Sequence, residues 1–190
     1  MKKQPNPQGK GLVPLLESLA ESRALIPAVA KQINQISSEL FTSMFVLHSH
    51  FQFKPVVGKS YWLYQRAKQF QLSLISPQEW GNEAFGMFVG ECVMQPDITW
   101  TLSLDAGAAN NDALMAYINT KQTEFEQAMA SADSVDSILP FYLEGLPFYQ
   151  RVFASALANS LKQSMVLSGI QGLSFDQAKL SQGSKMLICE

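Results

Sequence analysis

The stretch that decides the fold is residues 61–102, which read YWLYQRAKQFQLSLISPQEWGNEAFGMFVGECVMQPDITWTL. Apolar and polar residues alternate through much of it, and this period of two is typical of half-buried β-strands. The pattern predicts strands at residues 60–66, 70–75, 87–94 and 98–102. Phe70, Leu72 and Leu74 are expected to face inward. The loop at 67–69 is short enough for a hairpin, although it lacks the usual Gly or Asn. Short links between consecutive strands favour an antiparallel β-meander of three to four strands.

A helical pattern precedes the strands. One apolar row recurs every seven residues and comprises Leu12, Leu19, Ile26, Ile33 and Leu40, and an interleaved row comprises Leu15, Val29 and Ile36. This is the a/d spacing of a helical packing stripe. Because Pro27 lacks a backbone donor, we expect two helices, at 12–24 and 27–47; one long kinked helix is the alternative. The stripe is expected to pack within the chain, and a homodimer built through it is the other possibility.

The chain returns to helical patterns after the strands. Residues 105–111 (DAGAANN) have the composition of a linker. Asn111 or Asp112 can cap a helix that runs to about residue 130. A last long helix is predicted over 147–167, with Pro147 in its first turn and Gly169 just after its end.

These patterns together predict an α+β fold. A Pro/Gly/Lys-rich tail at 1–11 is expected to be disordered. Residues 12–190 are expected to form a single domain, with a helical part at 12–50, the β-meander at 51–104 and a mainly helical part at 105–190 that packs on the meander.

Composition narrows the classes of partner. Of the 190 residues, 47% are hydrophobic and 16% are charged, and the formal net charge is −2. The charged fraction is below the usual value of about 25%, which indicates a core-rich globular protein. Binding to nucleic acid needs a basic patch, and the chain shows none beyond its first ten residues. The start lacks the apolar region of an export signal, and no apolar stretch approaches the roughly 18 residues that span a membrane. We therefore expect a cytoplasmic protein without nucleic-acid or membrane partners.

The cysteines and histidines give little sign of special chemistry. Cys92 and Cys189 lie far apart and form no Cys-x-x-Cys motif, so free thiols in a reducing compartment are expected. The reactivity of Cys92 depends on its burial and on neighbouring charge. His48 and His50 lack a third metal ligand at a suitable spacing. We expect neither a metal nor a cofactor.

All three tryptophans fall between residues 61 and 100, together with two of the tyrosines, Tyr61 and Tyr64. On the first strand, Trp62, Tyr64 and Arg66 share one face. Trp, Tyr and Arg are the residue types favoured at binding hot spots. Trp80 and Trp100 are expected to be possible neighbours of this face. The alternative is that Tyr61 and the four aromatic residues of this set serve packing in the core and at the sheet edge.

The segment Ser76-Pro77-Gln78-Glu79 has the pattern of a capping box, with Pro at the first helical position. Such a role would commit the Glu79 carboxylate to the backbone. No nucleophile elbow or phosphate-binding glycine loop is present, so nothing requires catalysis. A small enzyme that uses Glu79, Glu91 or Asp97 near the sheet is the alternative.

The same residues resemble an uncharacterised family, the domain of unknown function 2452. The similarity runs through Lys54-Pro55, Gly58 and YWLYQR at 61–66, then LISPQEWG at 74–81, FVG at 88–90 and DITWT at 97–101. Members of the family often carry a Pro-His pair before the third strand, where this chain has Phe85-Gly86. The resemblance implies the central fold segment and no established activity, cofactor or catalytic residue.

The leading functional prediction is therefore a non-catalytic binding or scaffold domain. It would present Trp62, Tyr64 and Arg66, with Trp80 and Trp100 nearby, to a protein or small-molecule partner. The chain could act as a monomer or a homodimer. The composition does not identify the partner.

Overall fold

The computed structural model describes residues 28–79, 85–141, 143 and 145–186. The elements in these ranges are, in chain order, α1 (Ile33–Leu47), β1 (Ser60–Arg66), β2 (Gln69–Ser73), β3 (Met87–Met94), β4 (Trp100–Leu104), α2 (Ala106–Ala109), α3 (Asp112–Ser131), α4 (Phe148–Ser168) and α5 (Phe175–Met186). The predicted tail at 1–11 and the predicted helix at 12–24 lie outside the described residues. No helix in the described part is long and apolar enough to cross a membrane.

Helix α1 buries the stripe that its sequence predicts. Ile33, Ile36 and Leu40 are at most 1% exposed, because their spacing puts them on one face of the helix. The helix ends at Leu47, as predicted. Val29 was expected to continue the stripe, but it precedes the helix and is 59% exposed.

The start of α1 differs from the prediction for a tertiary reason. The helix begins at Ile33 and not at residue 27. The backbone N–H of Lys31 donates to Ser168 Oγ at 2.8 Å, and the Lys31 carbonyl accepts from the same hydroxyl and from Gln182. These bonds hold Lys31 outside the helix, and Gln32, which follows it, has the extended backbone of an N-cap.

The four strands form an antiparallel sheet in the order β2-β1-β3-β4. This confirms the α+β class with a central antiparallel sheet. The hairpins β1–β2 and β3–β4 join neighbouring strands as in a meander, whereas β3 pairs with β1 and not with β2, the strand that precedes it in the chain. Strand β1 has buried residues on both faces, namely Tyr61, Leu63 and Tyr64. A strand that is covered on both faces is better placed in the centre of a sheet than at its edge.

Strand β2 is a short edge strand. Its hairpin loop to β1 contains Ala67 at a φ of 55°, so alanine takes the left-handed position where Gly or Asn is usual. The strand ends at Ser73, whose Oγ accepts a hydrogen bond from the N–H of Ile75 at 3.0 Å. Leu74 therefore leaves the sheet and is 58% exposed, so the prediction that it faces inward was wrong.

Strand β3 has the predicted bounds, and β4 begins two residues later than predicted. Ile98 stands at a φ of 67° and belongs to the turn. A β-branched residue is rare in this region of backbone conformation. Hydrogen bonds from Ile98 N–H to Gln95 O and from Gln95 N–H to Thr99 O close the turn. The pairing of β1 with β3 contains a bulge between Leu63 and Tyr64.

The helices after the sheet begin and end largely where local signals place them. Asn111 caps α3, and its Oδ1 accepts from the N–H of Leu114 at 3.0 Å. Helix α4 ends at Gly169, which has a φ of 70°. The predicted linker at 105–111 contains the short helix α2, because Asp105 accepts from the second N–H that follows it.

Helix α5 was not predicted as a separate helix. Its start has a capping pair: the N–H of Ser174 donates to Gln177 Oε1, and the N–H of Gln177 donates back to Ser174 Oγ. This is the Ser-x-x-Gln form of a capping box. The signal is present in the sequence, but the three glycines at 169, 172 and 183 suggested an irregular tail.

One hydrophobic cluster joins the helices to the inner face of the sheet. At its centre the ring of Tyr61 stacks on Phe53, with centroids 5.2 Å apart, and packs against Trp100 at 5.7 Å. The Tyr61 hydroxyl accepts a hydrogen bond from the N–H of Val56 at 2.7 Å. This face is therefore committed to the core.

Cys92 lies in the same core and is fully buried. Burial, with a contribution from the charge of Glu91, raises the pKa of its thiol to about 12. Because only the thiolate is reactive, we expect Cys92 to resist a thiol reagent at pH 8 at least about a hundredfold more than it does in the unfolded chain. The measurement is labelling with a chromogenic disulfide on a Cys189→Ser variant, with and without urea. Rapid labelling of the folded variant would contradict the prediction.

Candidate functional site

The outer face of the sheet lies opposite the core. In β1 it carries Trp62, Tyr64 and Arg66, as the alternation of the strand predicts. The three residues differ sharply in exposure: Trp62 is half-buried, Tyr64 is 3% exposed, and Arg66 is exposed.

Trp62 has polar neighbours on this face. In the pairing register it stands opposite Ser73 of β2 and Glu91 of β3, and Glu91 in turn stands opposite Ser103 of β4. Directly opposite residues of antiparallel strands share a face and are in contact range. Glu91 and Ser103 are exposed. Trp62 is thus an aromatic ring on a polar surface.

Arg66 is at the hairpin end of the same face. It stands opposite Gln69, and both side chains are exposed. A guanidinium at this position is available to a carboxylate or to an aromatic ring of a partner. Trp62 and Arg66 therefore lie on one surface, four residues apart along one strand.

Tyr64 holds the link between β2 and β3 on the outer face. Its hydroxyl donates to the carbonyl of Ile75 at 3.1 Å, and its ring packs against Phe85 and Phe88 at 6.1 and 5.5 Å. Burial, and then the charge of Glu79, raise the pKa of the Tyr64 phenol above its ordinary value. Tyr64 stabilises the chain crossing and is not an open contact residue.

The turn at residues 76–79 follows in the same link. Glu79 Oε2 accepts hydrogen bonds from the N–H and the hydroxyl of Ser76, at 3.0 and 2.9 Å. These bonds lower the pKa of Glu79 below its ordinary value. In the predicted capping box the Ser hydroxyl would accept from a backbone N–H; here it donates to the carboxylate. The Glu79 carboxylate is therefore bonded within the turn, as the sequence predicts.

Of the two remaining predicted aromatic residues, Trp100 is not part of this surface. Trp100 is 1% exposed and packs on the inner face against Tyr61. It therefore lies on the other side of the sheet from Trp62. Trp80 lies outside the described residues.

The three carboxylates of the enzyme alternative occupy separate environments. Glu79 is held by Ser76, and Asp97 is held by Lys31 and Thr99. Glu91 is exposed beside Trp62. The structure brings no two of these carboxylates into an observed contact. Within the described residues, no group of three or more His, Cys, Asp or Glu side chains could hold a metal ion.

The histidines have structural positions. His48 is the C-cap of α1, and its Nδ1 is 2.7 Å from the carbonyl of Met44. The backbone of His50 bonds to Phe70 and Leu72, which extends the sheet beyond β2. This protects part of an otherwise open edge.

Two residues of the outer face were not predicted. Thr101 and Ser103 of β4 are exposed on the side of the sheet that carries Trp62. The alternation in Trp100-Thr101-Leu102-Ser103-Leu104 is the signal that could have identified them, since a strand with apolar residues inside presents its other residues outside.

Comparison with known proteins supports the resemblance in residues 54–101. A family model described as "Protein of unknown function (DUF2452)" matches residues 20–120, which is more than half of the chain. The matched range includes the whole sheet and extends into α3. No curated protein and no solved structure matches the chain.

Proposed function

This chain belongs to the DUF2452 family, and we propose that it is a protein-binding domain that uses the outer face of its sheet. The contact surface comprises Trp62 as the central residue and Arg66, Glu91, Thr101 and Ser103 around it. The family description assigns no activity, so the proposal rests on the geometry of this face. The chain is taken to act in the cytoplasm.

The observation that carries the proposal is the position of Trp62. Trp62 is half-buried on the face opposite the main core, directly across from Ser73 and Glu91, so packing in the main core does not require a tryptophan at this position. Trp and Arg are enriched at hot spots, where a partner completes the burial of the ring. The half-buried ring of Trp62 and the exposed Arg66, four residues away on the same face of β1, have this composition.

The shape of the surface favours a protein over a small molecule. Sites for small molecules are concave and bury most of the ligand. The part of the outer face around Trp62 is bordered by the exposed polar side chains of Glu91, Thr101 and Ser103, which resemble the polar rim of a protein interface. The enzyme alternative receives no comparable support, because its three carboxylates are not gathered.

The first test locates the partner on the surface. A photo-crosslinking amino acid is introduced at Ser103 and, as a control, at Asn119, which is exposed on α3. We expect a discrete cross-linked product in cells from position 103 and none from position 119. A product of the mass of two chains would identify a homodimer. Equal or absent products from both positions would contradict the proposal.

The second test removes the proposed contact residues from the folded chain. Trp62→Thr keeps a good strand former, and Arg66→Ala removes an exposed charge. Each change is expected to weaken binding to the cross-linked partner about 30-fold, the effect of losing about 2 kcal/mol at a hot spot. Titration of the purified partner measures it.

Arg151→Ala is the matched control, because Arg151 is an exposed arginine on α4. It is expected to bind as well as the unchanged chain. Circular dichroism and the melting temperature establish that each variant is folded. If Trp62→Thr is folded and binds normally, the outer face is not the contact surface.

A further inference from the structure

A groove lies between α1, α3 and α5, and it shares no residue with the outer face of the sheet. Its volume is about 490 Å³. Pockets for small molecules commonly have volumes of about 300–1,000 Å³. The groove is therefore of the size that accommodates one small organic molecule.

The floor of the groove is aromatic. Phe41 of α1, Phe125 of α3 and Phe175 of α5 each contribute a ring. The rings of Phe41 and Phe125 are 5.7 Å apart at a tilt of 50°, and Phe175 is only 7% exposed. Three rings from three helices thus form an apolar base below a polar rim.

The charges at the rim are predominantly negative. Glu126 and Asp176 contribute carboxylates, and Lys179 contributes an ammonium group. The Lys179 ammonium lies 4.1 Å from the centroid of the Phe175 ring. This contact is a cation–π interaction within the groove itself. Two carboxylates and one ammonium group give the lining of the groove a net charge of −1.

We propose that the groove binds a small organic cation with an apolar body, of the arylalkylammonium class. The apolar body packs on Phe41 and Phe125, and the ammonium group lies near Glu126 and Asp176. Aromatic faces attract cations and an excess of carboxylate favours them further, whereas an anion would meet both carboxylates. Such a site is separate from the protein contact proposed for the sheet.

The probe is 2-phenylethylammonium, with 2-phenylethanol as the neutral analogue and 3-phenylpropionate as the anionic one. Titration calorimetry or chemical-shift changes of the full chain measure each affinity. We expect saturable binding of the cation, about tenfold weaker binding of the alcohol, and no binding of the carboxylate. No saturation by the cation below about 10 mM, or equal affinity for the alcohol, would overturn the proposal.

Charge-removing variants identify the groove as the site. Glu126→Gln and Asp176→Asn are each expected to weaken cation binding about threefold, and the double variant about tenfold, since both carboxylates are exposed. Glu124→Gln is the matched control, because Glu124 is on the same helix, pairs with Lys121 at 2.7 Å and does not line the groove. An equal loss in Glu124→Gln, or no loss in the double variant, would show that the cation binds elsewhere.

Discussion

Replacing Gly90 with alanine is expected to reduce the free energy of unfolding by about 3 kcal/mol or more. A Cβ atom at this position would lie 2.3 Å from the carbonyl oxygen of Ser103 and 3.0 Å from the Cα of Leu104. Both are backbone atoms of β4, so no side-chain rotation can relieve the overlap. The strand must move, which disrupts the pairing of Gly90 with Leu104 and of Glu91 with Ser103.

Urea unfolding followed by circular dichroism measures this effect. The control is Gly183→Ala, because Gly183 is helical and a Cβ atom there meets nothing within 4 Å. That change is expected to be neutral or to stabilise the chain by about 0.5–1 kcal/mol. If Gly90→Ala unfolds at the same urea concentration as the unchanged chain, β3 and β4 are not in the register described.

The same geometry explains why position 86 requires glycine. Gly86 has a φ of 92°, and a Cβ atom there would lie 2.3 Å from the carbonyl oxygen of Gln65. Glycine thus allows the chain that enters β3 to approach β1 closely. Gly86 therefore allows β3 to pair with β1.

Local signals in the sequence identify most elements of the fold. The strands Ser60–Arg66 and Met87–Met94 have the bounds that their sequences predict. Asn111 and Gly169 likewise mark the start of α3 and the end of α4. These features could be predicted because each depends on residues within a few positions of it.

The remaining differences arise from contacts between distant residues. Helix α1 begins late because Lys31 bonds to Ser168 and Gln182, which are more than 130 positions away in sequence. Tyr64 of β1 likewise bonds to Ile75 and packs against Phe85, which both lie between β2 and β3 in the chain. Periodicity within one segment contains no information on such partners.

Only part of the candidate site could be predicted, because the rest also depends on contacts between distant residues. The alternation of β1 correctly assigned Trp62 and Arg66 to one face, but it could not distinguish the buried Tyr64 from the exposed Arg66. Trp100 was predicted as a possible neighbour of Trp62, but the register of β4 places Trp100 on the opposite face of the sheet. The groove depends on α5, whose start was not recognised, so its three rings could not be brought together from sequence.

Replacing Lys31 with methionine is expected to reduce the free energy of unfolding by about 3 kcal/mol at pH 7. The Lys31 side chain is 8% exposed, and its ammonium group contacts Asp97 and, at 2.5 Å, Glu39. Methionine fills a similar volume but leaves both carboxylates, 19% and 24% exposed, without their cation. Lys121→Met is the matched control: its partner Glu124 is 2.7 Å away, but both side chains are about half exposed, so a loss below about 0.5 kcal/mol is expected. Urea unfolding measures both losses.

The effect of Lys31→Met should depend on pH in a defined way. Burial alone would raise the pKa of Asp97, but hydrogen bonds from Lys31 and Thr99 and the charge of Lys31 lower it below its ordinary value of 3.8. Burial alone would lower the pKa of Lys31, but Asp97 and Glu39 raise it above 10.5. A carboxylate with a lowered pKa stabilises the fold above its unfolded pKa, and this contribution is lost as the pH falls through the folded pKa. The raised pKa of Lys31 means that its contribution to stability is complete below pH 10.5 and is lost only above that pH.

The difference in stability between the unchanged chain and Lys31→Met should therefore be constant from about pH 5 to pH 9 and shrink below about pH 4. A difference that is unchanged at pH 3 would indicate that Lys31 stabilises the chain by packing and not by its charge.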